Sequence, residues 1–388
     1  MLLNVLLACA YTKGNLFLIF FRRFPFDGVW MILPKMKSMW MRSLLLVILL
    51  MFACFLVNLP ANAQNDDLIT AAGKGDLVRV KALLDNGIDV NVRNEHGGTA
   101  LLRASFYGNL DVVQTLLAKG AEVNAKTSDG KTALMYSSIN GHLDVVKALL
   151  AKGAEINAKE TDDGETALSV ASQNGHLEVV KALLDMAPEV NATDKNGWTP
   201  LMWASLNGYV DIVQALLSKG AKVNLKESRG GTALSMASEK GRAEVVQELL
   251  AKGADVNNKM SDGTTALILS SAYGRLDVVK ILLAKGADVN AKTNDGGTAL
   301  YFASQQAHLD ILLALLAKGA DVNVKDIVGW TALIVASFKG HLAVVRTLIA
   351  NGADVNARAS NGGNALDAAI SGKHDDIKEL LLQAGAKP

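Results

Sequence analysis

Histidine has the widest chemical reach of the residue types in this chain, because its imidazole can bind zinc or move protons near neutral pH. Five of the six histidines share one position of a sequence repeat, just after a tight turn: His142, His176, His308, His341 and His374. Stacked helices lie about 8–10 Å apart, whereas zinc ligands sit about 2 Å from the ion. One imidazole per repeat therefore predicts a structural role. The sixth, His96, stands beside Glu95 in a turn, which is weak evidence for a site.

Other signatures of catalysis are missing from the sequence. No glycine-rich phosphate loop follows a strand, and no G-x-S-x-G nucleophile motif occurs. Asp162 and Asp163 form an acidic pair, but they fall in the polar stretch "KETDDGET", where solvation explains them. We therefore expect no catalytic residue, no metal and no cofactor, and a protein that is not an enzyme.

The elements that position these residues are set by an internal repeat. The tag Thr-Ala-Leu and its variants recur with leucine at Leu101, Leu134, Leu168, Leu201, Leu234, Leu267, Leu300, Leu333 and Leu366. The step is 33 residues, except for one step of 34 at the "KETDDGET" stretch, which indicates a loop insertion. Leu68 lies 33 residues before Leu101 and opens a degenerate first copy. We number the ten copies one to ten, from Leu68 to Leu366.

Each copy predicts two short helices, as copy three shows. Thr132 can cap a first helix, which Gly141 ends. The run "LDVVKALLAK" is apolar on one helical face, with Asp144 and Lys152 at the ends that the helix dipole favours. Gly153 then takes the position after the helix where a positive φ is needed. One such pair cannot bury its apolar face alone, so stacked copies must share a continuous core.

This pattern resembles the ankyrin-repeat family, whose unit has a period of 33 and the tag T-P-L-H-x-A. Thr199-Pro200-Leu201 keeps three tag letters, and the resemblance covers residues 64–388. It implies an all-α ankyrin-repeat solenoid of stacked helix-turn-helix units with β-turn loops, of bacterial type. The tag histidine is absent from every copy, which puts one inter-repeat tie in doubt. An asparagine after the second helix persists from Asn91 to Asn356, and we expect it to form a ladder of polar contacts.

The resemblance also implies a concave binding face, made of loop tips and first helices. Trp198 and Trp330 follow the loop-tip glycine, and Trp203 lies in the first helix of copy five. The remaining large side chains that we assign to protein binding lie at the ends of first helices: Phe106, Tyr107, Ile139, Leu206, Tyr273 and Phe338. The alternative is that a tryptophan after the glycine merely covers its own loop. Tryptophan and tyrosine are enriched at binding hot spots.

The N-terminal region carries a different signal. Residues 36–63 have two basic residues, the apolar run 44–57 and Ala61-Asn62-Ala63 before Gln64, which is typical of a secretory signal peptide. The alternative is a membrane anchor, for which the run is short. Cys54 stands inside the apolar run, and the residues before it match a lipobox poorly. Residues 1–35 fit neither pattern; either translation starts at Met36 or the segment is a long basic leader.

Charge limits the class of partner, and cysteine usage bears on the compartment. The chain has a formal net charge of +1, but its leader is basic, so the repeats are mildly acidic. They lack the clustered positive charge on which nucleic-acid binding rests. Both cysteines lie in the leader and leave the compartment open. We expect a periplasmic or secreted monomeric scaffold that binds a protein; the alternative is a dedicated inhibitor, immunity-like protein or protective accessory of one envelope enzyme.

Overall fold

The computed structural model describes residues 61–387, with side chains from Asp66 onward. Residues 1–35 and nearly all of the expected signal peptide, 36–63, lie outside this range. Within it the chain forms twenty helices and no β-strand, so the expected all-α repeat fold is confirmed. The first helices of copies one to ten are α1 Ala61–Lys74, α3 Ala100–Tyr107, α5 Ala133–Ile139, α7 Ala167–Asn174, α9 Pro200–Asn207, α11 Ala233–Lys240, α13 Ala266–Ala272, α15 Ala299–Gln305, α17 Ala332–Lys339 and α19 Ala365–Gly372.

The second helices follow after short turns. They are α2 Leu77–Asp85, α4 Leu110–Ala118, α6 Leu143–Ala151, α8 Leu177–Leu184, α10 Val210–Ser218, α12 Ala243–Ala251, α14 Leu276–Ala284, α16 Leu309–Ala317, α18 Leu342–Ala350 and α20 Asp375–Gln383. First helices pack on first helices of the neighbouring copies, and second helices pack on second helices. The loops between copies are turns, with isolated β-bridges at Lys126–Thr132 and Lys292–Thr298.

The predicted helix signals operate in the structure. In copies two to nine the tag threonine caps the first helix; the Thr132 hydroxyl, for example, accepts the backbone N–H of Met135 at 3.3 Å. Asp144 lies in the first turn of α6, and Lys152 is its C-terminal cap residue. Val145, Val146 and Leu149 are buried, as are their equivalents in the other inner copies. The helix caps and the apolar stripe thus specify both helices of each unit.

Three ladders of hydrogen bonds tie neighbouring copies together. In the loops, a backbone N–H of each copy donates to a carbonyl of the copy before, from Ser128–His96 to Ser360–Val328, at 2.7–3.0 Å. The asparagine ladder is confirmed: Asn91 accepts the Glu122 N–H at 2.8 Å and donates to the Gly120 carbonyl at 3.3 Å, and its equivalents repeat both contacts except Asn157, for which only the accepted N–H of Glu189 at 2.9 Å is found among the described residues. A third ladder runs through the turn between the helices and involves the histidines. These ties hold the stack where the tag histidine is missing.

Three residues other than glycine adopt a positive φ among the described residues. Gly153 has φ 83°, and alanine replaces such glycines at Ala187 with φ 49° and at Ala307 with φ 61°. Lys373, at the end of α19, is the third, with φ 61°. A side chain in this left-handed region costs about 1–2 kcal/mol. Copies four, eight and ten therefore hold locally weaker turns.

The two outer faces of the stack are polar. In copy one, Asp67 and Arg79 form an ion pair at positions where copy two has the buried Ala100 and Val112. In copy ten, Lys378 stands where the inner copies have a buried valine or leucine. Polar outer faces keep a repeat stack from continuing end to end. Among residues 61–387, no helix combines the length and apolar character needed to cross a bilayer.

Candidate protein-interaction surface

Aromatic side chains are confined to one part of each repeat. Eleven aromatic residues follow Gln64, and all lie in loop tips, in first helices or in the turn that follows: Phe106, Tyr107, Tyr136, Trp198, Trp203, Tyr209, Tyr273, Tyr301, Phe302, Trp330 and Phe338. None lies in a second helix. We call the surface of loop tips and first-helix C-terminal ends the tip face. Its aromatic content has no counterpart on the second helices.

In copy five the two tryptophans pack on each other. The Trp198 and Trp203 rings are 4.4 Å apart with a tilt of 32°. The tip turn is closed by Asp194, whose carboxylate accepts the Trp198 N–H at 2.8 Å. Trp203 is half-buried, and its indole Nε1 is shielded from solvent without a hydrogen-bond partner in residues 66–387. Leu206 is also half-buried, so this cluster is largely turned onto the framework.

Copies two and three carry a second cluster. The Phe106 ring makes edge contacts with Tyr107 at 5.0 Å and with Tyr136 of the next copy at 5.6 Å. The guanidinium of Arg103 lies 5.0 Å from the centre of the Tyr107 ring, in a cation–π arrangement. Tyr107 is 47% exposed, whereas Ile139 is half-buried. The partner-accessible part of this cluster is therefore Tyr107 and its arginine.

Copies seven and nine present more open side chains. Tyr273 caps α13 at its C-terminal end and is 53% exposed. In copy nine the Trp330 and Phe338 rings meet edge to face at 5.7 Å, and Phe338 is 41% exposed. The ammonium of Lys339 lies 6.0 Å from the centre of the Phe338 ring. In copy nine, Phe338 is therefore the exposed ring of the pair, and the ammonium of Lys339 lies beside it.

The sequence analysis missed two apolar residues at the tip of copy nine. Ile327 is 69% exposed and Val328 is 50% exposed, in a turn where the other copies carry charged or small polar residues. Isoleucine and valine are both common in the core, so the residue types alone did not indicate that these two side chains are exposed. Aligning the tips of all copies would have revealed them. They extend the exposed apolar surface of copy nine beyond Trp330 and Phe338.

Polar residues occupy the places between these clusters. Gln173 and Asn174 stand at the end of α7, between copies three and five. Glu239 and Lys240 stand at the end of α11, between copies five and seven, and form an ion pair at 2.9 Å. Ring contacts join residues of the same copy, or of adjacent copies in one case. The candidate residues therefore form several separate clusters along the tip face.

The histidines serve the stack. His176 Nε2 lies 2.8 Å from the Ile139 carbonyl oxygen of the preceding copy, and His142, His308, His341 and His374 make the same contact at 3.0–3.3 Å. Arg242 and Arg275 take over this role in copies six and seven through Nε. Asn109 does so in copy two. In these copies the shared position is thus a donor that joins the turn to the helix end before it; in copy five Tyr209 occupies the position, and Asn207 donates instead to the Gln173 carbonyl at 2.9 Å.

Comparison with known families agrees with this architecture. The family description "Ankyrin repeats (3 copies)" matches residues 50–127, 68–160, 157–227, 234–326 and 300–388. The chain belongs to the ankyrin-repeat family. Ankyrin repeats generally mediate protein–protein interactions and are typically non-enzymatic. A search of curated proteins finds no significant match.

One acidic cluster stands out within this ankyrin-repeat stack. Carboxylate oxygens of Asp129, Glu160 and Asp162 lie within 4.8 Å of one another around the inserted loop. Lys131 is already among them, with its Nζ 2.6 Å from Asp129 and 3.5 Å from Glu160. Hydrogen bonding from Lys131 lowers the pKa of the Asp129 carboxyl. Burial, followed by the charges of Glu160 and Asp163, raises the pKa of Glu165. A lysine thus supplies the positive charge in this loop.

Proposed function

We propose that this ankyrin-repeat protein is a non-enzymatic scaffold of the cell envelope that is exported and binds a protein partner through its tip face. The observation that carries the proposal is the placement of the aromatic residues. All eleven lie in loop tips, first helices or the following turn, although second helices also have exposed residues. Core packing does not require this bias, because the buried hydrophobic core in the described residues is built from alanine, leucine, valine, isoleucine and methionine, without an aromatic residue.

The framework supports binding by holding these side chains in fixed places. Each tip is tied to its neighbours by backbone hydrogen bonds of 2.7–3.0 Å, and each helix end by the turn donors. A rigid aromatic group loses little conformational freedom when a partner covers it. Binding through the tip face should therefore lose little side-chain conformational entropy.

Binding through the tip face is tested by Trp198→Ala. The wild-type protein should capture its partner from an envelope fraction. The Trp198→Ala variant should bind that isolated partner at least about fivefold more weakly, a loss of about 1 kcal/mol in binding free energy. The matched control is Lys181→Ala, on the exposed side of α8, where Lys181 pairs only with Glu178 at 2.8 Å. Calorimetry with the isolated partner gives both affinities. Weakening by Lys181→Ala and not by Trp198→Ala would place the partner on the second helices.

The same experiment separates a scaffold from a dedicated inhibitor. An inhibitor should elute with one partner at fixed stoichiometry and reduce that partner's activity. A scaffold should elute with several partners and leave their activities unchanged. Both arms use the same isolated complex, so the comparison needs no further variant.

Export is tested on the N-terminus of the protein found in cells. If residues 36–63 are a signal peptide, the mature chain begins at Gln64. Helix α1 begins at Ala61, so cleavage after Ala63 removes only its first residues and leaves the helix up to Lys74. Intact mass of the envelope-resident protein should match residues 64–388. A mass that includes residues 44–57 would indicate an uncleaved anchor instead.

A further inference from the structure

Copy nine presents an apolar surface that no other copy presents. Its tip carries Ile327 and Val328, which are 69% and 50% exposed. The corresponding tip residues elsewhere are polar, for example Lys195 and Asn196 in copy five. We call these two residues, together with the half-buried Trp330 and the exposed Phe338 of the same copy, the copy-nine patch. Exposed apolar groups gathered in one region usually mark a place that another molecule covers.

The exposure of these side chains is imposed by a well-bonded turn. The Asp326 carboxylate accepts the backbone N–H of Val328 at 3.0 Å and that of Trp330 at 2.8 Å. The Asp326 N–H donates to the Trp330 carbonyl at 2.9 Å and closes the turn. The tip is also bonded on both sides, because Ile327 donates to Asp295 and Ser360 donates to Val328, each at 2.9 Å. The apolar side chains therefore cannot turn inward without breaking these bonds.

The charge beside the patch is positive. Lys339 follows Phe338 at the end of α17, and no salt bridge in residues 66–387 involves it. The contrast with copy six is direct: there Glu239 takes the place of Phe338 and pairs with Lys240 at 2.9 Å. Lys373 is exposed at the end of the next first helix, also without a salt bridge among the described residues. The acid Asp367 is occupied with capping α19, where its carboxylate accepts the Asn364 N–H at 3.0 Å.

Exposed acidic charge lies beside the patch at its loop tip. Asp295 is exposed at the tip of copy eight, next to Ile327, and the Asp326 carboxylate is engaged in the turn. The patch thus runs from an acidic edge at the tip to a basic edge at the helix end. A ligand that complements it covers the apolar side chains of this copy and places its negative charge toward Lys339, which lies 6.0 Å from the centre of the Phe338 ring.

Resting on the proposed function, we infer that the copy-nine patch docks a segment of a protein partner in which a large apolar side chain is followed by a carboxylate that pairs with Lys339. A carboxylate in this place completes the ion pair that copy six forms internally. Hydrophobic contact supplies affinity, and the charge supplies orientation and selectivity. The polar end faces of the stack argue against a second copy joining end to end as the occupant.

The test uses the mature chain and synthetic peptides as probes. A library of short peptides with one central leucine, phenylalanine or tryptophan carries either glutamate or lysine at the flanking positions. We expect binding to be enriched for an apolar residue next to glutamate. The variant Ile327→Ser/Val328→Asn copies the Ser360-Asn361 tip of copy ten, so the fold is retained, and it should weaken the best peptide at least about tenfold.

Two further variants separate charge from contact. Lys339→Gln should weaken glutamate peptides while leaving uncharged ones unchanged, and Lys339→Glu should reverse the preference toward lysine peptides. The control is Lys240→Gln, which removes the equivalent cation in copy six. Circular-dichroism melting of every variant checks the fold. Absence of the glutamate preference, or equal weakening by Lys240→Gln, would overturn the inference.

Other outcomes distinguish this inference from the proposed function. If the copy-nine variants bind the envelope partner and the peptides normally while Trp198→Ala does not, the inference fails and the proposed function stands. If no tip-face variant changes partner binding, the proposed function fails. Binding of the patch to anionic lipid vesicles, or self-association lost with Ile327→Ser/Val328→Asn in sedimentation, would replace the peptide partner by a membrane or a second copy and overturn the inference.

Discussion

Copies five and nine place a tryptophan at the same point of the same turn, yet the two side chains end in different surroundings. Trp198 stacks on Trp203 at 4.4 Å, whereas Trp330 meets Phe338 edge on at 5.7 Å. The cause lies in the first helix. Copy five has Trp203 beside the tip, and copy nine has the small, buried Val335 at the equivalent position. Both tip tryptophans are half-buried and pack against the core, so the residue at this first-helix position decides which ring the tip tryptophan contacts.

This comparison predicts different roles for aromatic groups that look alike in sequence. In copy five the stacked tryptophans contribute to stability as well as to the tip face, and in copy nine the exposed Phe338 provides most of the accessible ring surface. The tip residues strengthen the difference, since Lys195 and Asn196 are polar and Ile327 and Val328 are apolar.

The largest expected effect is on the stability of copy five. Trp203→Ala removes a half-buried ring and its stack on Trp198, and should lower the free energy of unfolding by about 2–3 kcal/mol. Trp330→Ala leaves the buried Val335 in place and should cost about 1 kcal/mol. Denaturant unfolding of both variants measures the difference. Equal costs would show that the two tryptophans play the same structural role.

A smaller effect is expected at the strained turns that precede both copies. Ala187 in copy four has φ 49° and Ala307 in copy eight has φ 61°. Ala187→Gly and Ala307→Gly should each raise the free energy of unfolding by about 0.5–1 kcal/mol, because glycine adopts this conformation freely. Amide exchange near both alanines should be faster than in copies three and seven.

The matched control for these turns is Gly153→Ala. An added Cβ at Gly153 meets no atom within 4 Å, so only the strain of φ 83° acts. This variant should lose about 1 kcal/mol. Uniform exchange protection across the inner copies, together with no gain from either glycine variant, would show that the turns are not weak points.

Alkaline pH should affect the neighbourhood of copy nine selectively. Burial, together with the nearby Asp326 carboxylate, raises the pKa of Tyr301 to about 12. An ordinary tyrosine has a pKa near 10, so folding is favoured below pH 10 and this stability is lost as pH rises from about 10 to 12. Because Tyr301 is only half-buried and solvent screens the Asp326 charge, the effect should be below about 1 kcal/mol.

The measurement is the difference in unfolding free energy between wild type and Tyr301→Phe from pH 8 to pH 11.5. The difference should change in favour of the variant as pH rises through this range. Tyr273→Phe is the control, because Tyr273 is exposed and lies two copies away from Asp326. A pH-independent difference would mean that Tyr301 ionises as easily in the folded chain as in the unfolded one.

Much of the fold could be predicted because each signal repeats. The 33-residue period, the threonine caps and the Val-Val and Leu-Leu pairs appear in nearly every copy, so local errors average out. The asparagine ladder was also predictable, since one residue type recurs at one place. The histidine contacts were predicted as structural, but their carbonyl partners in the preceding copy depend on the stacking distance and could be seen only in three dimensions.

The tip face was less predictable because its residues do not repeat. The sequence located the aromatic residues correctly on loop tips and first helices. It could not show that Trp198 stacks on Trp203, since this depends on side-chain orientation across a turn. It also did not reveal Ile327 and Val328, whose exposure depends on a turn held by Asp326. Unique residues on a regular framework thus require the structure, whereas the framework itself does not.

The smallest expected effect tests whether copies five and nine share the same framework beneath their different surfaces. Ser205 and Ser337 occupy equivalent first-helix positions, are fully buried, and make no hydrogen bond within residues 66–387. Ser304 in copy eight is equally buried, but its hydroxyl donates to the Leu300 carbonyl at 2.7 Å. Ser205→Ala and Ser337→Ala should therefore each raise the free energy of unfolding by about 0.5 kcal/mol, because alanine removes a buried polar group that is unpaired. Ser304→Ala should lower it by about 0.5–1 kcal/mol. Opposite signs for Ser205→Ala and Ser337→Ala would show that the two copies differ in their core as well as on their surface.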